Sequence, residues 1–194
     1  MNTGIIILAA GNSSRLGRPK QLLLFEDKSL MDRTIEAAYG TPFEPILVVL
    51  GAFADQIQPM LPTEVQTITN QRWQEGMASS IASGLTKILV LKPDLENIII
   101  TVSDQAFINP NILLALQDKQ ISTKKGIIAS SYVQTTGTPA LFNKKYFPQL
   151  LSLTGNNGAK SMLKLHDNDV ETVAFELGNI DIDTETDYHN LINN

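Results

Sequence analysis

Cysteine is absent from the 194 residues, which excludes disulfides, thiolate nucleophiles and cysteine-type zinc sites. Histidine occurs only at His166 and His189, each alone in a helical pattern. Both read as structural or solvated, and their spacing offers no zinc site, general base or Ser-His-Asp arrangement. No run approaches the roughly 20 apolar residues that span a bilayer. The apolar segment 1–10 has no basic stretch before it and is cut by Gly11, so it reads as a buried strand rather than a signal peptide. Positive charge is scarce: 15 Lys and Arg against 20 Asp and Glu give a formal net charge of −5. That is the wrong balance for a nucleic-acid or anionic-membrane surface, although a few local cations would still serve one polyphosphate. The expected compartment is the cytoplasm. What is present, 43% hydrophobic and 18% charged residues, is the composition of one globular domain spanning 1–194.

Apolar runs and helical patterns alternate along that domain. Gly4 to Ala10 (GIIILAA) is short and continuous, as a central strand buried on both faces requires. Further strands are expected at 46–50, 65–69, 97–102, 126–132, 139–142 and 172–175. Ser29 and Asp32 are spaced as a capping box before a helix at 29–39. Met77, Ile81, Leu85 and Ile88 share one helical face. Asn109-Pro110 opens a helix through about Gln117. Helices at 159–166 and 184–192 follow, the last with a second capping box. Repeated β-α-β order predicts a three-layer α/β/α sandwich on a mostly parallel, Rossmann-like sheet.

In such sheets ligands bind beyond the carboxyl ends of the strands, so the segment leaving the first strand comes first. Gly11 and Gly17 let the backbone approach a ligand closely, and successive N–H groups there can form an anion-binding nest. Arg15, Arg18 and Lys20 put three cations within six residues of an acidic chain. Polyphosphate is the natural ligand. The P-loop pattern does not fit, because five residues separate the glycines and Arg18-Pro19-Lys20-Gln21 follows the second; GxGxxG is absent as well. The stretch LAAGNSSRLGRPKQLL instead resembles the signature of the nucleotidyltransferases related to the molybdenum cofactor cytidylyl- and guanylyltransferases, close to L-A-[AG]-G-x-S-x-R-[ML]-G-x-x-K. That resemblance implies a nucleotide-diphospho-sugar transferase-like fold. It also implies that Leu8, Ala9, Ala10, Gly11, Ser13, Ser14, Arg15 and Lys20 hold a nucleoside triphosphate, with Arg15 and Lys20 as the catalytic cations. Ala10, where the guanylyl branch more often has glycine, leans toward CTP over GTP.

The same resemblance continues downstream. The run from Asn70 to Gly84 (NQRWQEGMASSIASG) resembles the cytidylyl branch's N-x-x-W-x-x-G-M-x-S-S-x-x-x-G, which places Asn70, Gly76, Met77 and Ser80 at the nucleotide. Asp104 closes the strand NIIITVSDQ, where a carboxylate at a strand's carboxyl end can hold a hard cation. In the family this residue, usually followed by Gln-Pro, ligates magnesium; here the tripeptide is Asp104-Gln105-Ala106. Asp181 and Asp183, on one side of an extended segment, resemble the family's D-I-D-T-P-E-D and supply a second magnesium ligand, Asp183 before Asp181. Gly137-Thr138-Pro139 replaces a common G-H-P. Gly155-Asn156-Asn157-Gly158-Ala159-Lys160 resembles G-D-x-G-A-R, with Asn156 and Lys160 at the acid and arginine positions. Lysine keeps the charge but loses bidentate phosphate binding. Gly137, Gly158 and Lys160 are therefore the expected acceptor-binding residues.

The implied reaction is nucleotidyl transfer: an acceptor's terminal phosphate attacks the α-phosphorus and pyrophosphate leaves. A molybdopterin-type acceptor is expected, with a sugar-1-phosphate or isoprenoid-precursor cytidylyltransferase as the alternative. The departures at Asn156 and Lys160 also admit a nucleotide-binding partner or chaperone that no longer transfers.

Overall fold

A computed structural model describes residues 2–133, 135–156, 158–180 and 182–193. Seven strands form one sheet: β1 (Thr3–Ala9), β2 (Ile46–Leu50), β3 (Gln66–Thr69), β4 (Asn97–Val102), β5 (Ile127–Tyr132), β6 (Thr135–Asn143) and β7 (Val170–Ala174). Their spatial order is β3-β2-β1-β4-β6-β5-β7, and only β6 runs against its neighbours. The main helices are α1 (Leu30–Tyr39), α2 (Met77–Leu91), α3 (Pro110–Thr123), α4 (Ala159–Leu165) and α5 (Glu185–Ile192).

Alternation along β1 explains the three layers. Ile5, Ile7 and Ala9 point to one face, where they pack with α1 and α3 through Met31, Ile35, Leu113 and Leu116. Ile6 and Leu8 point to the other, against Ile81, Leu85 and Ile88 of α2 and Met162 and Leu163 of α4. Ile5, Ile6 and Ile7 are completely buried, each contributing about 1.5–3 kcal/mol of transfer free energy. A third, smaller apolar cluster joins Leu16 and Leu23 of the segment after β1 to Leu30, Ala106, Ile182 and Leu191. It ties the first loop to the last helix.

Local chemistry sets the element ends. Ser29 Oγ accepts the Asp32 N–H at 3.0 Å and donates to the Asp32 carboxylate at 2.7 Å. Thr184 and Asp187 form the reciprocal capping box at the start of α5. Asn109 caps α3, which runs to Thr123 rather than stopping near Gln117. Gln120 is buried and prolongs the helix, and Lys124 ends it in the left-handed conformation, at φ 60°. β6 begins at Thr135, four residues before the expected 139, because the polar run Thr135–Thr138 pairs antiparallel with β5 as a hairpin. β7 lies at 170–174 rather than 172–175. One-turn helices at Ala54–Ile57 and Phe147–Leu151 are too short to leave a periodic signal. Among the described residues, no helix is long and apolar enough to cross a membrane.

Candidate functional site

The carboxyl ends of β1 and β4 lie side by side, with Leu8 opposite Val102, so the loops leaving them share one end of the sheet. Between them opens a cavity of about 490 Å³. Its walls combine Ala10, Gly11, Lys20 and Gln21 from the first loop, Trp73, Gly76, Met77 and Ser80 from the approach to α2, and Asp104 beyond β4.

The first loop is a folded turn. Ser13 takes a left-handed backbone, φ 44°, and its carbonyl accepts the N–H groups of Leu16 and Gly17 at 2.9 and 3.0 Å. Gly17 follows at φ 71°, a conformation that favours glycine. Ser13 Oγ accepts the Lys20 N–H at 3.3 Å, which fixes where the Lys20 side chain departs. The N–H groups of Gly11, Asn12 and Ser14 donate to no described residue and stay available to an anion. Behind the loop, Gln21 is buried and donates to the Ala9 carbonyl at 3.2 Å.

Four charged groups meet at the loop's end. Lys20 Nζ lies 2.5 Å from Asp104 Oδ2 and 3.1 Å from Asp183 Oδ1, while Arg15 Nη2 donates to Asp183 Oδ2 at 2.6 Å. Burial pulls the Lys20 ammonium downward, but the charges and hydrogen bonds of Asp104 and Asp183 outweigh it, so its pKa ends above the ordinary lysine value. Asp183 precedes the α5 capping box, and its own N–H donates to Asp187 at 3.2 Å. Asp104 Oδ1 is buried and accepts no hydrogen bond from any described residue. The sequence-predicted metal pair, Asp104 and Asp183, is thus brought together around one ammonium. Asp181 lies outside the described residues. Among the described residues no cluster of three or more His, Cys, Asp or Glu side chains is suited to a metal.

The second wall is held by a small polar network. Asn70 is buried, and its amide donates to Ser79 Oγ at 2.8 Å and to Ser80 Oγ at 3.0 Å. Its carbonyl accepts the Arg72 N–H at 3.0 Å. Asn70 therefore ties the 71–76 turn to α2 from behind, while Ser80 reaches the cavity wall. Gly76 has φ +98°, and a Cβ there would lie 2.5 Å from both Asn156 Oδ1 and the Gly155 carbonyl. That close approach carries Asn156 into the cavity wall.

Of the predicted nucleotide-binding residues, Leu8, Ala10, Gly11, Lys20, Gly76, Met77 and Ser80 line the cavity. Ala9 lies buried under it, and Ser13, Ser14 and Arg15 belong to the loop at its edge. The three predicted acceptor residues do not share one place. Gly158 packs on the Met77 sulfur, and Gly137 lies under the Tyr132 phenol with no room for a Cβ. Lys160 donates to Thr135 Oγ1 at 2.9 Å and faces a separate cleft of about 600 Å³ between α4 and the β5–β6 hairpin. Gln21, Trp73, Gln74, Ser103 and Asn156 line the cavity without having been singled out as binding residues. Gln21 and Trp73 stand inside the two motifs quoted for the resemblance, so the signal for them was present. Of the histidines, His166 stacks near Tyr146, with ring centroids 4.7 Å apart, and its Nε2 sits 2.6 Å from Gln149 Oε1.

A cleft of about 490 Å³, a basic glycine loop and two carboxylates brought together from beyond β4 and before α5 define a nucleotidyltransferase class of site. The comparisons agree. The chain belongs to the family described as the MobA-like NTP transferase domain, which it matches over residues 5–171. It is 25% identical over 170 residues to the purine catabolism protein PucB of Bacillus subtilis, covering 82% of this chain and 79% of that one. It is 27% identical over 169 residues to nicotine blue oxidoreductase of Paenarthrobacter nicotinovorans, covering 82% and 80%. The crystal structure of Rv0371c from Mycobacterium tuberculosis superposes with a TM-score of 0.88 at 25% identity, over 100% of this chain and 98% of that one. Its complex with manganese superposes at a TM-score of 0.80 and 24% identity, over 100% and 99%.

Proposed function

We propose that this nucleotidyltransferase uses CTP, in preference to GTP, with magnesium, and transfers the nucleotidyl group to a phosphorylated acceptor of the molybdopterin type. The observation that carries the reading is the Lys20 ammonium bridging Asp104 and Asp183 beside the first loop, with Asp104 Oδ1 buried and unpartnered. An orphaned carboxylate oxygen at a strand end fits a hard cation. So does the donor set, since magnesium is held by one or two carboxylates with phosphates and water completing its shell. The manganese complex of the related Rv0371c supports use of a divalent ion.

In this reading Asp104 and Asp183 would hold magnesium, which would supply charge neutralisation on the triphosphate. The N–H groups of Gly11, Asn12 and Ser14, which donate to no described residue, receive phosphate oxygens. Lys20 and Arg15 offset the charge that builds on the leaving pyrophosphate. Ser80, Met77 and Gly76 seat the nucleoside at the amino end of α2. An acceptor phosphate oxygen forms the new bond to the α-phosphorus as the bond to the β-phosphate oxygen breaks. Such chemistry depends on positioning and charge stabilisation, not on a covalent nucleophile.

A second reading has an observation of its own. Lys20 is the one cation in the cavity wall among the described residues, and the far side, with Trp73, Gln74, Gly76, Met77, Ser80 and Asn156, presents no charged side chain. A nucleotide could be held there without being transferred, and one relative of this chain is an oxidoreductase, not a transferase. A pyrophosphate-release assay separates the readings, run with CTP or GTP, magnesium, and a molybdopterin acceptor beside a sugar-phosphate panel. Release with CTP and molybdopterin is expected. Release with a sugar phosphate alone would reassign the acceptor. Magnesium-dependent CTP binding without release by any acceptor would favour the second reading.

A further inference from the structure

The cavity and its charged groups carry one inference that rests on the donor-site reading above and extends it. We propose that Lys20 is an internal cation that keeps free divalent ions out of the site, so that cation and triphosphate enter together as one complex.

The argument is one of competition and charge balance. Lys20 Nζ already lies 2.5 Å from Asp104 Oδ2 and 3.1 Å from Asp183 Oδ1. These oxygens, from two carboxylates far apart in sequence, are what a hard cation would seek. Arg15 engages the other oxygen of Asp183 at 2.6 Å. Two cations therefore balance two carboxylates, and a third positive partner is not needed. The Lys20 side chain is 19% exposed and that of Asp104 15%, so neither is screened as a surface pair would be.

A free divalent ion must expel the ammonium and leave it next to doubled positive charge, with its own partners gone. A free triphosphate meets the opposite difficulty: drawing Lys20 away strips Asp104 of its partner and sets carboxylate against phosphate. A cation–triphosphate complex removes both costs in one exchange. The ion goes to the carboxylates and the phosphate oxygens receive Lys20. The ammonium is also an incomplete partner, since it leaves Asp104 Oδ1 buried without a hydrogen bond from any described residue. The site therefore yields its lysine when an ion arrives with phosphate to receive it.

The test uses manganese alone as the probe, followed by the solution EPR signal of the free ion, with wild type, Lys20→Met and Lys20→Gln. Thermal melts establish that each variant is folded, and the second substitution serves if the first is not. Removal of the ammonium is expected to tighten nucleotide-free manganese binding by about tenfold or more, within the ordinary range of two-site coupling. Adding Asp104→Asn to the Lys20 variant should abolish the gain, which places the ion at these carboxylates. In wild type, CTP should raise manganese affinity by a similar factor. Folded Lys20 variants that bind manganese no more tightly than wild type would overturn the proposal. A gain in the variants with no effect of CTP in wild type would uphold the exclusion by Lys20, overturn the joint entry of cation and triphosphate, and count against the donor-site reading on which that entry rests.

Discussion

Arg18 of the first loop and Glu185 of the last helix are joined by two parallel hydrogen bonds, Nε to Oε1 at 3.0 Å and Nη2 to Oε2 at 2.9 Å. The pair connects positions 167 apart in sequence. Arg18 also lies over the Tyr188 ring at 5.6 Å, and the Tyr188 hydroxyl donates to the Leu24 carbonyl at 2.8 Å. Beneath these polar contacts, Ile182 and Leu191 pack against Leu16 and Leu23. The end of the chain thus clamps the loop at its start and, in doing so, delivers Asp183 to Lys20.

The clamp's two layers differ in strength. Arg18 and Glu185 are each about half exposed, so Glu185→Ala should cost no more than about 1 kcal/mol. Ile182 is fully buried, and Ile182→Ala should cost about 2–5 kcal/mol through lost transfer energy and the cavity left behind. Urea melts of the two variants check the ranking. Equal losses would show that the ion pair holds the clamp as firmly as the apolar cluster does.

Gly76 and Gly11 should respond to alanine in opposite ways. At Gly76 the φ of +98° is strained for any side chain, and a Cβ would press on Asn156 and the Gly155 carbonyl. Gly76→Ala should therefore lower stability by more than about 1 kcal/mol and weaken nucleotide binding as the cavity wall shifts. At Gly11 nothing lies within 4 Å of a built Cβ. Gly11→Ala should leave the melt unchanged to about 0.5 kcal/mol while weakening triphosphate binding, because the new methyl group borders the N–H groups that would receive phosphate. Melting and calorimetric titration of both variants test the contrast.

Much of this was legible in the chain. GIIILAA reads as a strand buried on both faces because isoleucine fills both sides of β1. The first loop is legible because its glycines and cations are local in sequence. Asp104 and Asp183 could be paired only through the family resemblance, since no spacing rule links residues on separate elements. What brings them together is packing: β4 pairs with β1, and α5 docks on the loop. The cavity role of Asn156 was hidden for the same reason, as it depends on Gly155 approaching Gly76. The reversed β6 was missed as a nine-residue strand because its first half is polar and shows no clean alternation. Lys20 was read as a phosphate ligand; its contact with both carboxylates is a tertiary fact.

Away from the site, Tyr146 donates to Asp169 at 2.5 Å and Lys145 lies 2.7 Å from the same carboxylate oxygen. Burial, and then the hydrogen bond and charge of Asp169, push the Tyr146 phenol up to about 12. Burial alone would raise Asp169, but its bonds to Lys145 and Tyr146 prevail and hold it below the usual carboxylate value. A raised phenol contributes its stability in full below the ordinary tyrosine pKa of 10.0 and loses it as pH rises through about 12. A depressed carboxylate contributes above the ordinary 3.8 and loses it as pH falls through its folded value. Alkaline absorbance titration should show a phenolate step near pH 12 that Tyr146→Phe removes. Wild type and variant should converge in stability above that step. A variant that keeps the step would refute the assignment.

The two carboxylates around Lys20 should separate chemistry from folding. Asp104→Asn removes the shorter partner of the ammonium, but Asp183 remains 3.1 Å away. The loss of stability should therefore stay below about 3 kcal/mol, less than for a buried charge left with no partner. The asparagine keeps the shape of the side chain and removes the negative charge that would hold the ion. Transfer rate should fall by about 10²–10³-fold, the scale of a single electrostatic group in a transition state. Asp183→Asn should fall less, because its carboxylate is 37% exposed and shared with Arg15. Single-turnover pyrophosphate release at saturating triphosphate reads both rates, and urea melts read both stabilities. If Asp104→Asn kept its rate while losing stability, Asp104 would be a structural counter-ion for Lys20 and the metal would have to be sought elsewhere.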